Sequence, residues 1–353
     1  MHDDKKIMVD VERMRYPNTG LYYYCLHLAN ALQQQQHLHK ARLGFYLRKE
    51  TMSLFKSTSL NYVQRSLHKH HMLFARKYDV WHCTFQGSNY FPKNSKTKIV
   101  FTVHDLNFLH EDLPRRKQQK FLLALENKIK RADVIITISA FVKNDLLANI
   151  GADGKEIMII HNGCNISESL SPVAPAIIPR NPFIFSIGAI TDKKNFHVLP
   201  GMLLNNDYDL VIAGITHNEA YKEKIIETAK KLEVDQRVIF TGGISEAEKY
   251  WYLQNCLAFA FPSLAEGFGL PVIEAMHFGK PVLLSKATSL PEIGGNYAYY
   301  FDNFEPAYMS NKLQKALNDH SLNHRAAKII EWSEQFNWDV TARKHWDIYE
   351  SLL

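Results

Sequence analysis

The chain contains 353 residues, with 42 lysines and arginines against 36 aspartates and glutamates and a formal net charge of +6. This length predicts two domains with a cleft between them. The first residues, MHDDKKIMVDV, lack the apolar core of a signal peptide, and apolar runs such as FLLAL are too short to span a bilayer. Four cysteines are scattered without a C-x-x-C pair, so we predict reduced thiols in a cytoplasmic protein, with neither a disulfide framework nor a zinc site.

Charge is distributed unevenly along the chain. Residues 1–170 carry 25 basic and 15 acidic side chains, a net of +10, whereas the remainder carries 17 and 21, a net of −4. A basic first half predicts an anionic partner, such as a phospholipid surface or a lipid-diphosphate acceptor. Nucleic acid is the competing partner, but the basic residues are scattered and no nucleic-acid motif accompanies them, so we predict no nucleic acid.

Strands alternate with helices in the first half of the sequence. A first strand, KKIMVDV, leads through a turn that ends at Gly20 into a helix over residues 21–35, where apolar residues have helical spacing. Further strands are predicted at LGFYL, DVWHCTF, KIVFTVHD, DVIITIS and EIMIIHNG, and Ser139 is predicted to cap a helix. Such alternation predicts an α/β fold with a parallel sheet covered on both faces.

His104 and Asp105 close the strand KIVFTV, at the edge where parallel α/β sheets bind ligands. A histidine bonded to backbone at a strand end is an equally good interpretation of this pattern alone. The histidine-rich stretches at 37–39 and 68–71 lack a recognised zinc-ligand pattern, so we assign them to solvated faces.

The segment RRKQQKFLLALENKIKR, residues 115–131, combines basic and apolar side chains. This composition is typical of a helix that lies in a membrane interface. The alternative, which we favour for the apolar positions, is a core-packed helix with a solvated basic face. The basic face can serve an anionic membrane in either case.

Residues 171–182, SPVAPAIIPRNP, contain four prolines, a density that excludes regular helix or central strand and predicts a stiff linker. We place the first domain at 1–172, the linker at 173–182 and the second domain at 183–335. Alternation restarts there, with strands FIFSIGA, DLVIAG, RVIFTGG and LAFAF and helices after Asn195, near 219–232 and from Ser245.

Two lysines, Lys193 and Lys194, follow a strand that ends in glycine and precede a helix. Ammonium groups at such a point can meet a diphosphate. A solvated lysine pair is the alternative, and without further support it would be preferred.

Residues 257–285 contain the strongest functional pattern in the sequence. A buried strand, LAFAF, is followed by a loop with two glycines and by Pro271 at the start of a helix. The free N–H groups of a helix N-terminus at this sheet edge can bind an anion. Glu266 and Glu274 frame the loop, and carboxylates accept hydrogen bonds from sugar hydroxyls, so the pattern suits a nucleotide-sugar. A surface loop with a helix-dipole glutamate is the alternative.

This stretch resembles the signature of the retaining glycosyltransferases with two Rossmann-like domains, the GT-B architecture, in which an E-x7-E motif follows a Pro-Ser pair. The matching residues are Phe261-Pro262-Ser263, Glu266 to Pro271, Glu274-Ala275-Met276 and Gly279 to Val282. The resemblance implies that Glu266 contacts the donor sugar and Glu274 the nucleotide ribose. It also implies that the last segment, 336–353, forms a helix that crosses back to the first domain.

The resemblance extends to other loops. Lys194 takes the place of the basic residue that binds the donor diphosphate, His104-Asp105 matches a pair that faces the transferred sugar, and Gly20 matches the glycine of the first loop. Ala189 departs from the pattern, because many members have an arginine there. The implied catalytic residues are Glu266, His104 and Lys194. The implied donor-binding residues are Lys193, Lys194, Ile244, Glu266, Gly267, Phe268, Gly269, Leu270 and Glu274, and Gly20 and Asp105 are assigned to the acceptor-side cleft.

The function implied is that of a retaining hexosyltransferase, which moves a sugar from a nucleotide-diphosphate donor to a hydroxyl of a glycan or lipid-linked acceptor. We favour GDP-mannose as donor, with a UDP-sugar as the alternative, and synthesis of lipopolysaccharide, O-antigen or another cell-surface glycan. A nucleotide-sugar epimerase of the same architecture, a glycosidase and a catalytically silent nucleotide-sugar-binding subunit are the competing interpretations.

No cofactor and no metal are predicted. Asp207-Tyr208-Asp209 has the D-x-D form of a metal site known from another glycosyltransferase architecture, but it precedes the buried strand LVIAG and is interpreted as a strand-entry turn. The predicted location is the cytoplasm, with peripheral attachment to the cytoplasmic face of the inner membrane.

Overall fold

The computed structural model describes residues 5–17, 19–55, 60–69, 72–93, 96–109, 113–152, 154–167 and 169–353. The chain divides into two compact units. One unit comprises Met1–Gly163 and Phe336–Leu353, and the other comprises Cys164–Gln335.

The first unit is built on a seven-stranded sheet with the order β3-β2-β1-β4-β5-β6-β7, in which every pair is parallel. Its strands are β1 (Lys6–Asp10), β2 (Arg42–Leu47), β3 (Tyr62–Val63), β4 (Val80–Cys83), β5 (Lys98–Val103), β6 (Val134–Thr137) and β7 (Ile157–Ile159), and its first helices are α1 (Gly20–Gln35), α2 (Arg115–Arg131) and α3 (Ala140–Asn149). Strands β4 and β6 are buried at every position, as expected for a parallel sheet covered on both faces.

Side-chain caps fix where these helices begin. The hydroxyl of Thr19 accepts a hydrogen bond from the Tyr22 N–H at 3.2 Å and caps α1. The hydroxyl of Ser139 accepts one from the Val142 N–H at 3.2 Å, which confirms the predicted cap of α3. Each cap follows a strand, so it sets the position of the loop at the carboxyl edge of the sheet.

The second unit is built on a six-stranded parallel sheet with the order β10-β9-β8-β11-β12-β13. Its strands are β8 (Phe183–Ile187), β9 (Asp209–Ala213), β10 (Val238–Gly242), β11 (Ala258–Phe261), β12 (Val282–Leu284) and β13 (Tyr299–Tyr300). Its helices are α4 (Glu219–Lys231), α5 (Glu246–Asn255), α6 (Leu270–His277), α7 (Leu290–Gly294), α8 (Pro306–Leu322) and α9 (Ala326–Glu334).

The helix predicted after Asn195 is a 3-10 helix, Phe196–Leu203, rather than an α-helix. Asn195 itself adopts a left-handed conformation with φ of 56°, and Pro200 lies inside the helix. Proline has no N–H to donate and clashes with the preceding turn, which disfavours a continuous α-helix here.

The proline-rich segment is bound to the second unit along its length. The Val173 N–H donates to the Ala247 carbonyl at 3.1 Å, and the Tyr252 hydroxyl donates to the Ile177 carbonyl at 2.5 Å. Its last residues, Arg180 and Asn181, donate their N–H groups to the Asp209 carboxylate, both at 3.0 Å. The segment predicted as a linker is therefore part of the second unit, which begins at Cys164 rather than after residue 182.

The C-terminal helix, α10 (Trp338–Ser351), belongs to the first unit. The Trp346 indole N–H donates to the Leu32 carbonyl of α1 at 3.2 Å, and the Trp346 ring stacks on His39 with centroids 4.1 Å apart. The Thr341 hydroxyl donates to the His161 carbonyl at 2.7 Å. These contacts tie the end of the chain to the sheet formed by its beginning.

Candidate active site

The carboxyl edge of the second sheet is shaped by two glycines. Gly188 follows β8 and Gly214 follows β9, with φ of +155° and +145°. A Cβ atom on Gly214 would lie 1.9 Å from the Gly188 carbonyl oxygen, so only glycine allows this approach. A Cβ atom on Gly188 would lie 3.1 Å from Cε of Lys194, so this glycine makes room for the lysine side chain.

Lys194 and Glu266 form the ion pair at the centre of this edge. The Lys194 ammonium lies 2.5 Å from Oε1 of Glu266, and both side chains are mostly buried. The ammonium also lies 4.7 Å from the centre of the Phe261 ring. The backbone carbonyl of Lys193 accepts a hydrogen bond from Leu264 N–H at 2.8 Å, which joins the lysine loop to the loop after β11.

Glu266 is held from three sides. The Ser263 hydroxyl donates to Oε1 of Glu266 at 2.7 Å, and the Glu266 N–H donates to the Thr288 hydroxyl at 3.0 Å. The Ser289 hydroxyl donates to the carbonyls of Glu266 and Phe268 at 3.0 and 2.9 Å. The contacts that Lys194 and Ser263 make with the carboxylate both use Oε1. Within the described ranges, Oε2 is therefore the carboxylate oxygen left for a ligand hydroxyl.

The predicted loop leads directly into helix α6. Gly269 precedes the helix with φ of +109°, Leu270 is its first residue, and Pro271 lies in its first turn. The first N–H groups of a helix have no intrahelical partners and lie at the positive end of the helix dipole. The edge therefore combines an ammonium group with a helix N-terminus, an arrangement that can hold an anion.

Glu274 lies on α6 but is 3% exposed and forms a buried ion pair. Its Oε2 atom lies 3.0 Å from the ammonium of Lys249, which also contacts Glu246 at 2.8 Å. Burial raises the pKa of the Glu274 carboxyl, and Lys249 and the Asn165 side chain oppose that rise. Burial also opposes the charge of Lys249, but Glu274 and Glu246 outweigh it and raise the pKa of the ammonium.

Sequence reasoning missed three partners of these groups: Asn165, Lys249 and Thr288. Lys249 had a local signal, because it lies three residues after Glu246 in a predicted helix, a spacing at which opposite charges meet. Ser263 was part of the family motif and Ser289 opens a turn that resembles one near the family's donor site, but their hydrogen bonds to Glu266 were not predicted. Ile244 was predicted from the family pattern, and the structure places it, half-buried, between β10 and the Ser245 cap of α5.

His104 lies after β5 in the first unit, in a fixed tautomer. Its Nε2 atom lies 2.7 Å from the Thr84 carbonyl oxygen, so Nε2 carries the proton and Nδ1 is an acceptor. Burial lowers the pKa of His104 to about 4, so the ring is neutral at pH 7. The backbone-bonded histidine considered above is thus present, and a neutral Nδ1 can also accept a hydroxyl.

The other first-unit candidates are less constrained. The Asp105 carboxylate accepts the Asn107 N–H at 3.1 Å, and its carbonyl accepts from the Gln86 amide at 3.0 Å. Gly20 is exposed at the start of α1, and a Cβ atom there would meet nothing within 4 Å. Space alone therefore does not require glycine at this position.

Asp209, from the D-x-D sequence, has a structural role. Its carboxylate accepts the N–H groups of Arg180 and Asn181 and the Asn181 amide, each at 3.0 Å. Among the described residues, no group of three or more His, Cys, Asp or Glu side chains is arranged to hold a metal ion.

Helix α2 shows a mixture of the two predicted arrangements. Leu125 and Ile129 are buried, as in a core-packed helix, whereas Phe121 and Leu123 are 42% and 60% exposed. In the ranges that the structure describes, no helix is both long enough and apolar enough to cross a membrane.

Comparison with protein families gives two matches. The model described as Glycosyltransferase Family 4 matches residues 19–168, and the model described as Glycosyl transferases group 1 matches residues 171–331. The second match contains all the predicted donor-binding residues.

Similar curated proteins include bacterial mannosyltransferases. An O-antigen chain mannosyltransferase B of Escherichia coli is 22% identical over 98% of this chain and 100% of the relative. A serotype-specific mannosyltransferase WbdA of Escherichia coli is 30% identical over 72% of this chain, but only 34% of the longer relative. The O-antigen chain mannosyltransferase RfbU of Salmonella typhimurium is 27% identical over 57% of this chain and 56% of the relative.

Similar solved structures cover nearly the whole chain. A sucrose-phosphate synthase from Thermosynechococcus elongatus gives a TM-score of 0.74 at 18% identity, with 99% of each chain covered. Anabaena HepE in complex with UDP and glucose gives 0.73 at 18% identity, with 99% of this chain and 100% of that chain covered. These structures confirm the predicted fold class, two Rossmann-like α/β domains of the GT-B type.

Proposed function

Because the chain belongs to the glycosyltransferases of group 1 and family 4, we propose that it transfers a hexose from a nucleotide-diphosphate donor to a hydroxyl of a glycan or lipid-linked acceptor, with retention at the anomeric carbon. The observation that carries the proposal is the buried pair of Lys194 and Glu266 beside the N-terminus of α6. The ammonium and the helix N-terminus can bind the negative diphosphate of a sugar donor, and the carboxylate can accept hydrogen bonds from the sugar hydroxyls.

The groups at this edge suit departure of a diphosphate. Negative charge builds on the leaving group, and fixed donors stabilise it best because they need no reorganisation. Lys194, Lys193 and the N–H groups between Gly267 and Leu270 would supply those donors. Lys194 must then exchange Glu266 for phosphate oxygens when the donor binds, which leaves Glu266 available to the sugar.

Glu266 would position the reacting sugar. The sugar becomes oxocarbenium-like as the bond breaks, so a carboxylate fixed by Ser263, on a backbone held by Thr288, contributes through its position as well as its charge. His104 would accept a hydroxyl through neutral Nδ1. Its pKa of about 4 makes it a poor proton donor or general base at pH 7.

Mannose is the sugar we favour. The relatives named mannosyltransferase support it, and GDP-mannose would then be the donor. HepE, whose structure contains UDP and glucose, keeps a UDP-sugar as the alternative. Family membership disfavours the epimerase, and intact Glu266 and Lys194 disfavour a silent subunit.

Calorimetric titration with GDP, UDP and ADP tests the donor site. We expect GDP to bind most tightly, and turnover of GDP-mannose to give an α-linked product by NMR. Binding of none of the three nucleotides would overturn the donor assignment, and a β-linked product would overturn retention.

The acceptor would be presented at the cytoplasmic face of the inner membrane, as suits lipopolysaccharide or O-antigen synthesis, and α2 is the element we propose to contact it. Arg116, Lys117 and Lys120 are exposed on this helix with Leu123. Each basic side chain near an anionic surface contributes roughly 1 kcal/mol.

Vesicle sedimentation tests this contact. Changing Arg116, Lys117 and Lys120 to glutamine should reduce salt-sensitive binding to vesicles with anionic lipid. Removing three exposed lysines of α4, Lys224, Lys230 and Lys231, is the matched control and should have little effect. Equal partitioning of the parent to neutral and anionic vesicles, or no binding even at low salt, would refute a charge-held membrane acceptor and favour a soluble one. Equal binding of the parent and both variants would exclude α2 as the contact.

A further inference from the structure

The loops that follow two neighbouring strands of the first sheet are joined by one side chain, that of Gln86. Strands β4 and β5 pair as far as Cys83 and Phe101. Beyond that pair, Oε1 of Gln86 accepts the His104 N–H and Nε2 donates to the Asp105 carbonyl, both at 3.0 Å. One amide therefore holds the backbone on both sides of the peptide bond between His104 and Asp105.

The ring of His104 is oriented by the same loop. Its Nε2 atom donates to the Thr84 carbonyl at 2.7 Å, and the ring meets that of Tyr24 edge-on, with centroids 4.5 Å apart and an angle of 90° between the planes. Thr84 lies two residues before Gln86, so the loop after β4 bonds both the ring and the backbone of His104. The direction of the ring therefore depends on how this loop is placed against the end of β5.

The loop that carries Gln86 is itself held by two other elements. The ammonium of Lys128, on α2, donates to the carbonyls of Gln86 and Ser88 at 2.6 and 2.8 Å. The hydroxyls of Thr84 and Ser88 donate to the carbonyl and the carboxylate of Asp10, the last residue of β1, at 2.5 and 2.8 Å. Gln86 therefore extends from a loop that is fixed by α2 and by β1.

A glutamine that joins two segments of backbone can serve stability alone, and Gln36 provides the comparison. Its amide also makes two such bonds, donating to the Ala41 carbonyl and accepting the Leu43 N–H, both at 2.7 Å. Like Gln86, it is half-buried. The bonds of Gln36 lie at the start of β2, the amino edge of the sheet, whereas those of Gln86 lie at the carboxyl edge, where parallel α/β sheets bind ligands.

We propose that Gln86 is a positioning residue for His104. Its amide fixes the backbone at His104 and Asp105, so that Nε2 of the ring stays on the Thr84 carbonyl and Nδ1 remains the acceptor for a ligand hydroxyl. This placement of the ring does not depend on the reaction. Its consequence for turnover rests on the proposed function, in which His104 accepts a hydroxyl, and there a displaced ring reduces the rate of transfer rather than the affinity for the nucleotide.

Long-range proton–nitrogen NMR of the protein labelled with ¹⁵N-histidine tests the placement, because it shows which ring nitrogen carries the proton. His104→Ala identifies the signals of this ring. We expect a single Nε2–H tautomer in the parent and a mixture of both tautomers in Gln86→Met, which keeps the length of the side chain and loses the amide. Gln36→Met is the matched control: it should lower the melting temperature by a similar amount and leave the His104 signals unchanged.

Turnover of the nucleotide-sugar tests the consequence. Gln86→Met should lower the turnover number at least about tenfold with little change in the Kd of GDP, and Gln36→Met should leave both unchanged. In a His104→Ala background, Gln86→Met should cause no further loss, because a positioning residue acts only through the group that it positions.

An unchanged tautomer in Gln86→Met would overturn the proposal, as would the same change of tautomer in Gln36→Met. With an active parent, a Gln86→Met variant that turns over like the parent, or that loses as much again in the His104→Ala background, would also overturn it. A parent that binds no nucleotide and transfers no sugar, with a tautomer that changes in Gln86→Met alone, would remove the proposed function and leave the placement of His104 by Gln86 standing. Normal GDP binding and turnover with an unchanged tautomer would do the reverse.

Discussion

The buried carboxylates at the carboxyl edges of the two sheets differ in how close a cation lies to them. In the second unit, Glu266 and Glu274 each have an ammonium group within 3.0 Å. In the first unit, the closest cation to Glu12 is 3.9 Å away. Neighbouring Asp10 differs again, because burial and then Glu12 raise its pKa to about 8, which leaves its carboxyl mostly protonated at pH 7.

This difference indicates two ways in which a protein can keep carboxyl groups buried: by pairing them with lysines or by protonating one of them. At the second edge the buried carboxylates are paired with lysines, and a diphosphate bound as we propose would compete with Glu266 for Lys194. At the first edge no ammonium lies that close to Glu12 within the described ranges, and protonation of Asp10 reduces the buried negative charge instead. The comparison makes predictions for each edge.

Breaking a pair in the second unit should have the largest effect. Lys249→Met leaves Glu274 buried without a cation, which typically lowers the free energy of unfolding by about 3–5 kcal/mol. The double variant Lys249→Met with Glu274→Gln should recover most of that loss, because no unpaired charge remains. Urea unfolding measures both.

Lys286→Met is the control for this prediction, since Lys286 pairs with Asp302 at an exposed site. It should unfold like the parent. If Lys249→Met also unfolds like the parent, the pairing of Glu274 does not stabilise the second edge, and the contrast with the first edge disappears.

Glu266→Gln should lower the turnover number about a hundredfold, an effect of roughly 2.7 kcal/mol on the barrier, while the Kd of GDP changes by less than tenfold. Glutamine keeps the acceptor for Ser263 but loses the charge that faces Lys194 and the reacting sugar. Steady-state kinetics and calorimetry measure the two quantities.

Glu274, on the helix that follows the loop of Glu266, provides the matched comparison for Glu266→Gln. Because we assign it to the ribose, Glu274→Gln should weaken GDP binding more than it slows turnover. Tight GDP binding by both variants would show that neither carboxylate contacts the nucleotide, and equal losses of turnover would remove the distinction between them.

Local features of the fold could be predicted from the sequence. Short apolar runs predicted the parallel strands, and the pattern predicted the cap at Ser139 and a helix from Ser245, which the structure shows to be capped by Ser245 as well. A side chain within three residues satisfies each first turn, so such caps are local features. Strand β3 was missed because it has two residues, and Pro200 determined the type of helix after Asn195.

The geometry of the candidate site could be predicted only in part. Glu266 and Lys194 were both named as candidates, but their contact joins positions 72 residues apart and was not predicted. Thr288, which accepts the Glu266 N–H, has φ of 52° in a loop without a motif.

A smaller effect is expected from His345 on α10 of the first unit. Its Nδ1 atom bonds the Thr341 carbonyl at 2.8 Å, and its buried Nε2 atom has no partner among the described residues. Burial lowers the pKa of His345 from 6.5 to about 4. Between pH 6.5 and pH 4, the histidine is therefore protonated in the unfolded chain and mostly neutral in the folded chain. Stability linked to this residue is complete above pH 6.5 and is lost towards pH 4.

His345→Leu removes this titration. Between pH 7 and pH 5, the parent should lose about 2 kcal/mol more unfolding free energy than the variant. Urea unfolding at both pH values measures the difference. Equal pH dependence of the two proteins would show that His345 is solvated and titrates normally.

The smallest effect is expected from removing divalent metal. The lysines at 193 and 194 and the N-terminus of α6 can neutralise a diphosphate, and the N–H groups of Arg180 and Asn181 engage Asp209. Turnover in excess chelator should therefore stay within twofold of turnover with added magnesium or manganese. Complete loss in chelator, restored by manganese, would mean that the lysine charge is insufficient. The paired edge would then need a bound cation to hold the diphosphate, and its contrast with the first edge would no longer rest on side-chain charges alone.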